Sequence, residues 1–165
     1  MRLFIASPVV LDDFVGVQKS FEGIVKGRWV KEESLHLTWK FLGEHEQVVP
    51  IVSGLRKLSP LQEPSALQEL GFFGKPARIL YAKTEDESFF YAKAKMFEKA
   101  GFKMDRFKPH VSLCRMKQIV NFASFRRKVA SFGSEKLGYI LPELILYESV
   151  LTPQGAKYRV IEKVL

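Results

Sequence analysis

Two short histidine-centred runs, Leu35-His-Leu-Thr-Trp39 and Pro109-His-Val-Ser-Leu113, lie one in each half of a 165-residue chain, and the residues after them keep the same register. Val48, Ile51, Leu55 and Leu58 fall 12, 15, 19 and 22 residues after His36, and Phe122, Phe125, Val129 and Phe132 fall at the same four offsets after His110. Those offsets trace the apolar face of a helix. One shared spacing is cheap, but a strand, a helical face and the distance between them repeated together describe a duplicated unit.

The segments ahead of the histidines repeat as well. Each half begins with an apolar run behind an arginine, Arg2-Leu-Phe-Ile-Ala6 and Arg78-Ile-Leu-Tyr-Ala82, which reads as a buried strand. A helical pattern follows each: Phe14, Val17, Phe21 and Ile24 in the first half, Phe90, Ala94, Phe97 and Ala100 in the second. Thr84 and Glu87 have capping-box spacing at the start of the second helix, and Gly101 suits the left-handed residue that often ends one. Glu143–Leu151 and Lys157–Val164 read as a hairpin around Thr152-Pro-Gln-Gly155. The pattern predicts an α+β protein of two similar lobes.

Along a strand, alternate residues share a face. His36 and Thr38 therefore stand opposite Leu35, Leu37 and Trp39, and His110 and Ser112 stand opposite Val111 and Leu113. An approximate twofold would bring the two imidazole–hydroxyl pairs face to face across a cleft. That layout suits in-line displacement at phosphorus, which needs a base on one side and an acid on the other. Imidazole titrates near neutrality and can serve as either, each proton transfer contributing roughly a hundred- to ten-thousand-fold in rate. The hydroxyls can donate to the non-bridging oxygens, where charge builds.

Charge points the same way. Lys and Arg number 26 against 18 Asp and Glu, a net +8, which favours a polyanionic partner such as nucleic acid. The apolar run Leu3 to Leu11 is interrupted by Pro8 and closed by Asp12 and Asp13, too short for a signal peptide or membrane span, so a cytoplasmic protein without a membrane role is expected. The single cysteine, Cys114, has no disulfide partner and reads as a buried, inert thiol. His45 lies in a polar loop, and no local spacing of ligands or carboxylate partner makes a metal site of the three histidines.

At these residues the chain resembles the two-histidine phosphoesterase superfamily, marked by a duplicated His-x-Thr/Ser-x motif, here His36-Leu-Thr-Trp39 and His110-Val-Ser-Leu113. Within it the likeness is to the RNA 2′,3′-cyclic phosphodiesterase family, also called 2′-5′ RNA ligases. It is carried by His36-Leu-Thr-Trp-Lys-Phe-Leu-Gly43, Phe107-Lys-Pro-His-Val-Ser-Leu-Cys-Arg115, Phe72-Phe-Gly-Lys-Pro-Ala-Arg-Ile-Leu-Tyr81 and Tyr147-Glu-Ser-Val-Leu151 with Gly155 and Tyr158. The resemblance implies one bilobal domain over 1–165, with motif lobes of about 1–77 and 78–165 that exchange strands. Antiparallel sheets would line a V-shaped cleft, with helices outside. It also implies no metal or other cofactor, action as a monomer, and hydrolysis of a 2′,3′-cyclic phosphate at RNA ends, tRNA halves among them, to a 2′-phosphate. His36 would protonate the departing oxygen and His110 would activate water, while Thr38, Ser112 and Arg115 bind phosphate. The resemblance extends to ATP-independent joining through a 2′-5′ linkage, the chemical reversal of cleavage at that bond. Ser112 stands where the family more often has Thr, which keeps the hydroxyl and frees its rotamer.

Two assignments depend on geometry. Strict alternation puts Arg115 on the face away from His110, so it reaches the cleft only if the strand ends or bulges near Cys114. Phe107 could stack on a base or fill the core. Arg126-Arg-Lys128 reads as the solvated face of a helix or as a path for an RNA backbone. The rival functions are a phosphodiesterase for a small cyclic nucleotide or ADP-ribose cyclic phosphate, and a non-catalytic RNA-end-binding module.

Overall fold

The computed structural model describes residues 1–165. Strand β1 (Arg2–Leu11) puts Leu3, Ile5 and Ser7 fully inside on one face. It runs straight through Pro8, where the sequence suggested a break. Proline has no N–H to give a neighbour, and Pro8 sits where the strand changes partners. Arg2–Pro8 pair with β3 (His36–Glu44) and Leu3–Ala6 with β8 (Ile145–Thr152), whereas Val9–Leu11 pair with β7 (Lys136–Ile140).

β1 therefore belongs to two sheets. The first runs β3-β1-β8-β9, where β9 is Gly155–Lys163. The second runs β2 (Val25–Trp29), β6 (His110–Ile119), β5 (Ile79–Thr84), β4 (Ser65–Phe73), β7 and the end of β1. Every pairing is antiparallel. The outer faces are covered by four helices: α1 (Phe14–Ser20), α2 (Val49–Leu55), α3 (Glu87–Lys99) and α4 (Phe122–Ser131). Together these elements make an α+β fold of two pseudo-symmetric lobes.

Each lobe draws on both halves of the chain. α3 lies behind the first sheet, where Phe90 and Phe97 stack on Trp39 at centroid distances of 5.4 and 5.2 Å. Behind the second, Phe21 at the end of α1 meets Phe125 and Phe132 of α4 at 6.0 and 6.1 Å. β2 and α1 from the first half thus serve the His110 sheet, while α3, β8 and β9 serve the His36 sheet.

Several local expectations change. α1 stops at Ser20 and Ile24 is not on it, because the chain turns at Gly23 (φ 75°) to enter β2, and the Ile24 carbonyl accepts from Val120. Thr84 is no cap: it ends β5, buried, and Asp86 caps α3 by accepting from the Phe89 N–H at 3.2 Å. The arginine-led strings are one residue out of structural register. Ala6 stands opposite Thr38, but it is Tyr81, not Ala82, that stands opposite Ser112. In a strand such a slip exchanges the faces. Gly101 does take a left-handed conformation, at φ 96°.

A buried polar chain fastens the His36 strand. The Trp39 indole donates to Ser7 Oγ at 2.8 Å, and Ser7 donates to the Glu143 carbonyl at 2.6 Å, joining β3, β1 and the approach to β8. Thr84 Oγ1, by contrast, is buried with no partner. Ser7→Ala strands the indole N–H in the core and should cost about 1–3 kcal/mol. Thr84→Val removes an unpaired hydroxyl and should leave stability unchanged or raise it by about 1 kcal/mol. Urea unfolding of the two variants beside wild type checks both signs.

Candidate active site

β3 and β6 each begin at their histidine, and both rings are fixed by the same bond. His36 Nδ1 lies 2.7 Å from the Ser34 carbonyl, and His110 Nδ1 lies 2.7 Å from the Lys108 carbonyl, two residues back in each case. A carbonyl can only accept, so Nδ1 carries hydrogen in both rings and the neutral imidazole presents Nε2 as a base.

Burial holds both imidazoles below their ordinary value of 6.5, with the carbonyl bonds opposing it in part. His36 is the more enclosed, and positive charge on His110 lowers it further, while Lys108 does the same to His110. The charge of His110 is thus felt at His36, as the smallest of the contributions there.

Thr38 and Ser112 follow on the same faces, half-buried, while Leu35, Leu37, Trp39, Val111 and Leu113 are inside. Ser7 Oγ is fully used within the protein; the Thr38 and Ser112 hydroxyls make no such bonds and are free for a ligand. Beyond Ser112 the alternation breaks. Tyr81 pairs with Ser112 and Leu80 with Cys114, which leaves Leu113 as an extra residue, a bulge. Leu113 and Cys114 are consequently both buried, and the exposed Arg115 returns to the face of His110 and Ser112.

The same bulge occurs in β3, where Ala6 pairs with Thr38 and Ile5 with Lys40 around Trp39. The place equivalent to Arg115 is held there by Phe41, 72% exposed.

Aromatic rings wall both histidines. Phe4 and Tyr158 stand 5.3 and 5.2 Å from His36, with Tyr147 stacked on Phe4 at 5.1 Å. Phe73 and Tyr81 stand 5.0 and 5.6 Å from His110 and stack on each other at 4.1 Å. Burial pushes the Tyr81 and Tyr147 phenols up, so both stay protonated at neutral pH. Gly71 makes room for Tyr81, since a Cβ there would come within 2.7 Å of its ring. A cavity of about 630 Å³ opens beside His36, between Tyr147, Tyr158 and the 3-10 turn Glu32–Ser34.

Other residues lie elsewhere. Phe107 is stacked on Trp39 at 5.4 Å and 10°, on the core side of β3, and is not brought to the histidines. His45 bonds the Leu42 carbonyl. Cys114 is buried and its thiol is pushed up to about 11. No three His, Cys, Asp or Glu side chains converge anywhere in the chain.

Comparison with known proteins bears on the family and the fold. Residues 7–81, which include the first motif, match the family described as LigT like Phosphoesterase. The RNA 2′,3′-cyclic phosphodiesterase of Methanocaldococcus jannaschii is 28% identical, with 99% of each chain covered. That of Archaeoglobus fulgidus is 29% identical over 96% of this chain and 97% of its own. The crystal structure of TT0787 of Thermus thermophilus superposes with a TM-score of 0.71 at 26% identity, covering 99% of this chain and 97% of that one. These likenesses support a place in the two-histidine phosphoesterase superfamily. E. coli LigT, at 19% identity and a TM-score of 0.66, has the same fold over 98% of this chain.

The residues that sequence reasoning left unassigned are the ring walls. Phe73, Tyr81, Tyr147 and Tyr158 lay in the family-like strings without a role, and Phe4 looked like an ordinary strand residue. Only pairing across strands brings them to the histidines. Because both imidazoles are held below 6.5, kcat/KM, which reports the free enzyme, should follow a bell centred below pH 6.5. Initial rates from about pH 4.5 to 8.5 test this; a maximum above about 7 contradicts the assignment.

Proposed function

We propose that this protein hydrolyses 2′,3′-cyclic phosphate ends of RNA to 2′-phosphates by acid–base catalysis between His36 and His110, without a metal. The observation that carries the reading is the matched pair of Nδ1–carbonyl bonds, which leave two Nε2 atoms of the same tautomer available as bases. Full-length relatives named RNA 2′,3′-cyclic phosphodiesterase support the substrate, as does the net charge of +8.

In the proposed step His110 Nε2 takes a proton from water as the water oxygen attacks phosphorus. The bond from phosphorus to the 3′ oxygen breaks, and His36 Nε2 delivers a proton to that oxygen. The 2′ ester bond survives, giving the 2′-phosphate. Burial favours neutral His36 in the empty cleft, but a bound phosphodiester anion favours imidazolium beside it. Thr38 and Ser112 donate to the non-bridging oxygens, and Arg115 neutralises their charge. With the 5′-hydroxyl of a second RNA strand attacking in place of water and the same 3′ oxygen departing, the cleft would join RNA ends such as tRNA halves through a 2′-5′ linkage, without ATP.

The test is turnover of an oligonucleotide ending in a 2′,3′-cyclic phosphate, in EDTA, with wild type beside His36→Ala and His110→Ala. A 2′-phosphate product that persists in EDTA is expected, with each variant slower by at least about a hundred-fold. Loss of wild-type turnover in EDTA, or a variant near wild type, defeats the mechanism. The limbs of the kcat profile should lie at higher pH than those of kcat/KM, because bound phosphate raises both imidazoles.

A further inference from the structure

The second large hollow lies outside the cleft, at the rim of the His110 sheet. About 1070 Å³ in volume, it runs between the β4–β5 turn, the far end of β6 and the start of α4. Lys75, Arg78, Arg115 and Lys117 line it with Phe72 and Phe122, and no aspartate or glutamate does. None of the four cations is paired with a carboxylate. Phe122 is 48% exposed and meets Phe72 edge to face at 5.9 Å. Arg126 follows one helical turn later on the same side of α4.

Unpaired cations beside an exposed ring are the two components of a surface for single-stranded nucleic acid: the cations follow phosphates and the ring takes a base. Arg115 gives this hollow its direction. The bulge at Leu113 puts Arg115 on the face of His110 and Ser112, yet Arg115 also lines the hollow, which continues over the sheet rim to Phe72 and Phe122 on the α4 side.

We propose that this groove holds the single-stranded RNA leading up to the cyclic phosphate, on its 5′ side, and makes the enzyme prefer a polymer end to a cyclic mononucleotide. The inference rests on the function proposed above and names its substrate class more narrowly. The cleft holds the terminal nucleotide, while Arg78, Lys75 and Lys117 hold the preceding phosphates and Phe122 stacks on a preceding base. The unpaired positive charge is what separates this surface from an apolar docking site for protein.

The test compares wild type with Arg78→Gln/Lys117→Gln and with Phe122→Ala, using two substrates: a single-stranded RNA of about twelve nucleotides with a 2′,3′-cyclic phosphate end, and 2′,3′-cyclic AMP. Binding of the same RNA ending in a 2′-phosphate is measured separately by fluorescence anisotropy across a salt series. The double variant should bind the RNA about ten-fold or more weakly, with a log–log salt slope shallower by about 1.4, or about 0.7 per cation. Phe122→Ala should weaken binding about five-fold or more. kcat/KM should fall in parallel on the oligonucleotide and stay within about two-fold on cyclic AMP. Unchanged binding, an unchanged salt slope, or equal losses on both substrates would falsify the groove assignment. If wild type turns over neither substrate, the proposed function fails, and the anisotropy series alone still decides the groove.

Discussion

The pairing of β1 with two sheets is the constraint on which both the lobes and the cleft depend. Its first residues lie between β3 and β8, and its last three lie against β7. The change comes at Pro8, whose carbonyl accepts from the Leu141 N–H at 2.9 Å while the next residue donates to Leu35. Continuous backbone hydrogen bonding thus crosses from one sheet to the other, which fixes their relative position without a linker. The strand also carries Ser7, the hydroxyl that secures Trp39 and through it the strand bearing His36 and Thr38. The sheet junction and the anchor of the His36 strand lie on the same ten-residue strand.

Around that frame the two motifs are near copies in backbone and differ in what surrounds them. Both histidines bond the carbonyl two residues earlier, and both strands bulge three residues after the histidine. A bulge exposes the fifth position after the histidine on the cleft side. One lobe fills it with Phe41 and the other with Arg115. The His36 side is aromatic, with Glu32 and Glu33 at the edge of its cavity, and the His110 side continues into unpaired cations. The backbone around the two histidines is symmetric; the side chains beyond them are not.

Electrostatics ties the pair together. Two imidazoles in one partly buried site do not both keep a proton readily, since burial and mutual repulsion act in the same sense. Both rings are thereby biased toward the neutral form in the empty site. Cys114, the only thiol, is kept out of this chemistry by the same bulge that exposes Arg115, because the shift in alternation turns its sulfur inward.

The duplicated register, the His–hydroxyl strands, the second helix of each half and the closing hairpin were legible in the sequence, because each is a local repeat whose period the backbone enforces. The inward and outward residues around His36 and His110 followed from alternation alone, up to the bulge. Thr84 as a cap and Ile24 on a helix failed because local spacing cannot weigh the pairing of β5 or the turn into β2. The exchange of β2, α1, α3, β8 and β9 between lobes, the rings around each histidine, the turning of Arg115 to the face of His110 and of Phe107 into the core were decided only in three dimensions. Each depends on which strand lies alongside which and where one residue is left over in the ladder, and those are properties of pairing between segments far apart in the chain. The sequence by itself determined which groups could do the chemistry; tertiary structure decided which way they face, because a single bulge reverses the side of a sheet.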